Sequence, residues 1–182
     1  METNLNFPNL ESKIIPPYLI QGQALEAELQ DTAHYQTAKK HFSQESKNLI
    51  FSFHYFVTEK DIDTFMHVNN ANYMRFMEDA RWDFITKNGY GLEKVHQELK
   101  GPVLLESHLR FRRELKNREW IHIYSQIQGR LNEKIYQLKQ LIVKDSGVLS
   151  CEANMTVGFF HTTERKLIIP PQIWLDAIGV VL

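Results

Sequence analysis

One long helical pattern stands among five strand patterns, and that ratio leaves few folds open. From Asn72 to Lys87 the apolar residues Tyr73, Phe76, Met77, Ala80 and Phe84 recur at three- and four-residue steps. Arg75, Asp79, Asp83 and Lys87 form a polar stripe on another face, and Asn88-Gly89 supplies a helix stop. Ahead of the helix lies NLIFSFHYFV (48–57), rich in aromatic and β-branched residues. Four more strand patterns follow. VLLESHLRF puts Val103, Leu105, Ser107, Leu109 and Phe111 on one face, with Glu106, His108 and Arg110 on the other. WIHIYSQIQ aligns Ile121, Ile123 and Ile127, whereas KIYQLKQLIV is ambiguous and predicts partial burial on both sides. LSCEANMTVGFF aligns Leu149, Cys151, Ala153, Met155, Val157 and Phe159. Asn132-Glu133 and Asp145-Ser146-Gly147 are turn signals between consecutive strands, which predicts antiparallel hairpins. Pro170-Pro171 opens a short closing helix, QIWLDAI. A sheet with one apolar face needs a cover, and only one helix is long enough to provide it. The expectation is an α+β fold, one curved antiparallel sheet wrapped around a long central helix.

The rest of the chain reads less sharply. Pro8, Pro16 and Pro17 interrupt residues 1–20, and IIPPYLI is apolar but short. Residues 22–43 hold good helix formers with a thin apolar stripe, Leu25, Leu29 and Phe42, so that helix is expected to dock weakly or lie at an edge. Residues 1–46 are read as a partly helical N-terminal extension and 47–182 as the main domain. Net charge is −1, from 21 basic and 22 acidic residues, which argues against a nucleic-acid partner. The one cysteine, Cys151, has no partner for an internal disulfide, and the N-terminus lacks a basic-then-apolar signal pattern. No apolar run approaches ~20 residues, so no membrane span is expected. The setting these features predict is the cytoplasm.

Chemistry concentrates at the mouth of the long helix, in DIDTFMHVNNANY (61–73). Asp63 has two readings, a turn or helix cap and a catalytic carboxylate. His67 either hydrogen-bonds Asp63 and lines a pocket or packs within the loop. Asn69 and Asn70 are good capping residues, and a helix start leaves unpaired N–H groups and a positive dipole end near Val68, Asn69 and Asn70. Asp61 is read as a solvated turn residue. The spacing of Asp61, Asp63 and His67 matches no closed zinc pattern, so no metal is expected. There is no G-x-S-x-G, and a cysteine within a strand pattern is a poor nucleophile.

These residues share one register with a known family. Asp61-x-Asp63, His67-Val68-Asn69-Asn70-x-x-Tyr73 and Phe76-x-Glu78-x-Ala80-Arg81 resemble the hotdog-fold thioesterases, in the 4-hydroxybenzoyl-CoA thioesterase-like branch that includes bacterial acyl-CoA thioester hydrolases. The HVNN element also resembles the acyl-carrier-protein thioesterases. The likeness spans roughly residues 48–178, so 47–182 is expected to be the hotdog domain. Two positions depart. Relatives often carry glycine where Met66 stands, and the carrier-protein branch has asparagine where Phe65 stands.

The resemblance implies hydrolysis of an acyl thioester, of CoA or of acyl-carrier protein, without a cofactor. Asp63 takes the catalytic carboxylate's place, as general base or nucleophile. Asn70 falls where a helix-start N–H points at the thioester carbonyl. His67 is the third catalytic candidate, and Met66, Asn69 and Tyr73 are candidates for substrate contact. Another hotdog branch carries its carboxylate on the helix, which makes Glu78 a reserve candidate; its plainer reading is an i, i+3 ion pair with Arg81. Tyr73, Phe76, Met77 and Trp82 are either pocket or core. The basic run Arg110, Arg112, Arg113, Lys116 and Arg118 is either a solvated face or a contact for CoA phosphates or a carrier protein. The family fold pairs subunits, so a homodimer or a dimer of dimers is expected. Two alternatives stay open: a non-catalytic acyl-binding or assembly module on the same fold, and a dehydratase acting on 3-hydroxyacyl thioesters.

Overall fold

A computed structural model describes residues 30–181. In chain order the elements are α1 (Ala33–His41), β1 (Ile50–Phe56), a 3-10 turn (Glu59–Asp61), α2 (Asn70–Lys87), α3 (Leu92–Glu98), β2 (Lys100–Phe111), β3 (Trp120–Asn132), β4 (Ile135–Lys144), β5 (Leu149–His161), β6 (Lys166–Ile168) and α4 (Gln172–Ala177). The long helix starts two residues earlier than its apolar pattern, because Asn69 caps it and carries the chain into the first turn. At its end Asn88 is the cap and Gly89 takes φ +89°, a conformation glycine adopts without a Cβ penalty.

All strand pairs are antiparallel, in the order β1-β3-β4-β5-β2, with β6 alongside the end of β5. Hairpins link β3 to β4 and β4 to β5 as the turn residues predict. β2, by contrast, crosses to the far side and pairs with β5, which leaves its other edge open among the described residues. α2 lies on the inner face. Phe76, Met77 and Ala80 are buried there with Ile121, Ile123, Ile142, Cys151 and Ala153, all at or near zero exposure. Full burial of one such large side chain contributes about 1.5–3 kcal/mol, so this seam is what fixes the helix to the sheet.

Two expectations about facing change. A bulge between Leu104 and Glu106 breaks the alternation of β2, so Leu105 leaves the inner row and is exposed, while Leu104 and Leu109 pack on the core. The N-terminal helix does more than skirt an edge. Tyr35 and Ala38 of α1, with Phe42 at its C-cap, bury against Tyr124, Leu141 and Val143 on the outer face. That second layer explains the continuous apolar run at the end of β4, which is covered on both sides. Pro8, Pro16, Pro17, IIPPYLI, Leu25 and Leu29 lie outside the described residues. Among those described, no helix is long and apolar enough to cross a membrane.

Candidate active site

The site begins with a tight turn. Ile62 and Val68 form an isolated antiparallel bridge, the Asp63 N–H donates to the His67 carbonyl at 2.8 Å, and the Met66 N–H donates back to the Asp63 carbonyl at 3.0 Å. One Asp63 carboxylate oxygen accepts from the Phe65 N–H at 2.9 Å, the side-chain turn that aspartate favours. Closing so short a loop forces Met66 to φ +64°. This is the physical meaning of the departure from glycine: the position needs left-handed backbone, and methionine adopts it at a cost of about 1–2 kcal/mol. Phe65 and Met66 point outward, at 80% and 76% exposure.

The other Asp63 oxygen lies 3.4 Å from His67 Nδ1, and the Asp63 side chain is only 18% exposed. His67 Nδ1 is also 3.3 Å from the Val68 carbonyl, and its ring stacks on Phe65 at 6.0 Å. The turn therefore brings Asp63 and His67 together.

Asn69 caps α2, its side-chain oxygen accepting from the Ala71 N–H at 2.9 Å and its carbonyl from the Asn72 N–H. Two of the three N–H groups expected to face a carbonyl are already used. Val68 donates to the Leu115 carbonyl at 2.8 Å and Asn69 to the Asp61 carbonyl at 3.0 Å, because both residues are tied into neighbouring segments. From Val68 to Asn72, only the Asn70 N–H has no acceptor among the described residues. It lies at the positive end of an 18-residue helix.

Asp61 is the largest correction. It is fully buried. One carboxylate oxygen accepts from the Thr58 N–H (2.9 Å), the Thr58 hydroxyl (3.0 Å) and the Tyr55 hydroxyl (3.0 Å), and the other is ion-paired with Arg75. Burial works to raise its pKa, but the Thr58 and Tyr55 hydrogen bonds and the Arg75 charge outweigh it and hold the carboxyl below its usual range. Its carbonyl also accepts from Asn72 Nδ2 at 2.9 Å. Asp61 thus anchors the loop and the helix start together. The signal was readable: Thr58 followed three residues later by a carboxylate is a capping box.

Tyr73 is buried, its hydroxyl accepting from the Leu115 N–H at 3.2 Å and its ring edge-on to Phe111. Phe76 and Met77 are core. Glu78 is exposed, and Arg81 turns inward instead of pairing with it, donating to Gln140 Oε1 at 2.7 Å. Gln140 in turn donates to the Met77 carbonyl and to Ser125. A cavity of about 110 Å³ lies beside this network, lined by Glu78, Arg81, Trp82 and apolar residues of β2, β5 and α4. Cys151 has zero exposure, and burial pushes its thiol up to about 12, which removes it as a nucleophile at neutral pH. Within the basic run, Arg110 and Arg112 pair with Glu152, Lys116 with Glu114 and Arg118 with Glu59. Arg113 donates to the Arg112 carbonyl.

The profile of the thioesterase-like superfamily matches residues 57–177, from the end of β1 through α4. The chain belongs to the thioesterase-like superfamily. It is 31% identical over 96 residues to the long-chain acyl-CoA thioesterase FadM of Escherichia coli, an alignment covering 52% of this chain and 71% of that one. Among solved structures it is similar to a Staphylococcus aureus protein in complex with CoA (TM-score 0.66, 20% identity, covering 75% of this chain and 85% of that one). It is also similar to a 1,4-dihydroxy-2-naphthoyl-CoA thioesterase from Synechocystis (TM-score 0.65, 17% identity, covering 71% and 95%). The fold is the hotdog fold, and the activity class of the chain is thioester hydrolysis.

Proposed function

We propose that this chain hydrolyses acyl-CoA thioesters at the mouth of α2, with Asp63 as the catalytic carboxylate and Asn70 as the carbonyl-polarising donor. The observation that carries the reading is a shielded carboxylate seven positions ahead of the one helix-start N–H that has no acceptor among the described residues. Water adds to the thioester carbonyl as Asp63 takes its proton. The negative oxygen that results is held by the Asn70 N–H and the positive end of the helix. Collapse expels the thiolate, which recovers the proton from Asp63 and leaves free acid and thiol. Direct attack by Asp63, giving a mixed anhydride that water then cleaves, uses the same groups. His67 orients Asp63, Asn69 fixes the helix start, and Met66 borders the substrate's approach. Tyr73 supports the site from the core through Leu115.

The cavity beside Arg81 and Trp82 is the proposed seat for the far end of the acyl chain. It lies two to four helical turns from Asn70, roughly 12–22 Å by helix rise. A homodimer joined through β2 is also proposed. The strand's open edge is 12 residues long and shows Leu105 and Phe111. The proposed setting is a reducing one, the cytoplasm, in keeping with a single buried thiol.

The test is thiol release from a panel of acyl-CoAs, followed with a thiol-reactive dye, for wild type and Asp63→Asn. The variant is expected to lose about 10²- to 10⁴-fold in rate. If wild type releases thiol from no acyl-CoA, the substrate assignment falls; full activity in the variant removes Asp63 from the mechanism. Conversion of 3-hydroxyacyl-CoA without thiol release favours the dehydratase.

A further inference from the structure

Away from the active site, where α1 meets the outer face, three metal-ligating side chains converge: His34 on α1, His122 on β3 and Asp145 in the β4–β5 turn. Their ligand atoms lie within 4.8 Å of one another. We propose that His34, His122 and Asp145 form a site for one transition-metal dication of the zinc class, which staples α1 to the sheet.

The arrangement has the parts such a site needs. His34 is buried and its Nδ1 is held by the Tyr124 hydroxyl at 2.6 Å, which leaves Nε2 as the ligating atom. Metal-bound histidines characteristically have their second nitrogen fixed in this way. The two imidazoles stack at 3.6 Å with only 6° between their planes. Two imidazolium ions would repel in that geometry, so the stack excludes double protonation and leaves at least one neutral ring to ligate. His122 Nε2 is 3.1 Å from Asp145 Oδ1. An ion placed between them takes the place of that shared proton, which moves to His122 Nδ1.

The three backbones are also already fixed. Thr37 of α1 donates to the Gly147 carbonyl at 2.7 Å, and the Asp145 N–H donates to the Trp120 carbonyl at 3.2 Å. Gly147 takes φ +83° with Ala33 so close that an added Cβ would meet it at 2.9 Å. Exposure rises from buried His34 through His122 at 18% to Asp145 at 72% of the side chain, so an ion enters from the Asp145 side and keeps water there. Bonds of about 2.0–2.2 Å to nitrogen and oxygen put neighbouring ligand atoms roughly 3.4 Å apart in a tetrahedral site. Reaching that spacing takes a contraction of up to roughly 1.4 Å, and one imidazole must turn out of the parallel stack, because a bound ion lies near the plane of each ring. Two imidazole nitrogens and one carboxylate select zinc, nickel, copper or cobalt over magnesium and calcium. Sequence spacing hides the site, since its members come from three separate elements.

The test uses the full chain without an affinity tag, stripped with a chelator. Calorimetric titration with zinc is expected to show one ion per chain and a rise in Tm that magnesium does not reproduce. Cobalt is expected to give the visible bands of a low-symmetry site. Asp145→Asn, which changes an exposed side chain, is expected to weaken zinc binding by ~10-fold or more, and His122→Gln by ~100-fold. Absence of zinc binding by the wild type at millimolar zinc overturns the proposal. Wild-type affinity in either variant does so as well, since the ion would then sit elsewhere. Circular dichroism checks that each variant is folded, and neither outcome depends on thioesterase activity.

Discussion

Replacing Asp61 by Asn tests whether a buried ion pair holds the loop that carries Asp63 and His67. The substitution keeps shape and removes charge. Four donors face the carboxylate: the Thr58 N–H, the Thr58 hydroxyl, the Tyr55 hydroxyl and the Arg75 guanidinium. Hydrogen bonds to a charged group contribute about 1.5–3 kcal/mol each, and breaking a fully buried pair costs about 3–5 kcal/mol. Arg75 is 40% exposed and recovers hydration, and the amide oxygen of Asn still accepts on one side. The net loss expected is therefore about 2–3 kcal/mol, at or below the low end of that range. For a chain of this length it lowers Tm by roughly 5–10 °C, measured by calorimetry. The pH dependence has a definite sign. The folded-state pKa of Asp61 is depressed, so its stabilisation is present above the unfolded value of about 3.9 and is lost as pH falls through the folded value. The gap between wild type and variant is expected to be full at pH ~7 and to shrink below pH ~4. Because the Asp61 carbonyl holds the N–H of Asn69 and the side chain of Asn72, thiol release is expected to fall too, although Asp63 is untouched. A Tm within about 2 °C of wild type at neutral pH would refute the reasoning.

Other substitutions probe the rest of the frame. Met66→Gly relieves left-handed backbone at a side chain that is 76% exposed, so after the glycine entropy cost it is expected to gain about 0.5–1 kcal/mol; a lower Tm contradicts the account of the turn. Gly179→Ala places a Cβ 2.8 Å from Leu49 and Phe51 at φ +71°, and denaturant unfolding is expected to show a loss of about 2–4 kcal/mol; wild-type stability would mean the contact is not held in solution. Glu78→Gln is expected to keep thiol release within about twofold, whereas a loss of 10²-fold or more would move the catalytic carboxylate from Asp63 to the helix.

The amino-acid sequence by itself determined the parts. Periodicity marks α2 and the five main strands because burial on one face writes 3.6- and 2-residue repeats into the chain. Asn69, the residues Asn88-Gly89 and the two hairpin turns were legible for the same local reason: caps and turns are satisfied by neighbours in sequence. Clustering of Asp63, His67 and Asn70 at a helix mouth, in a register shared with a known family, also pointed to the site region. Short elements escaped, as α3 and β6 are too brief to carry a period.

Only the tertiary structure decided what depends on distant partners. The placement of β2 beside β5 follows from a chain crossing that no turn signal encodes. α1 settles on the outer face because Tyr124, Leu141 and Val143 leave an apolar surface there, and three residues of its own stripe match it. Which helix-mouth N–H remains open was settled by Leu115 and Asp61, which claim those of Val68 and Asn69. Asp61 looked solvated because its charge partner, Arg75, lies 14 residues on, in the second turn of the next helix, and it is buried because that partner folds back onto it. Local chemistry chooses the elements of this protein. Contacts between residues far apart in the chain lock Asp61 in place for stability, whereas Asp63 is held by neighbours within its own turn.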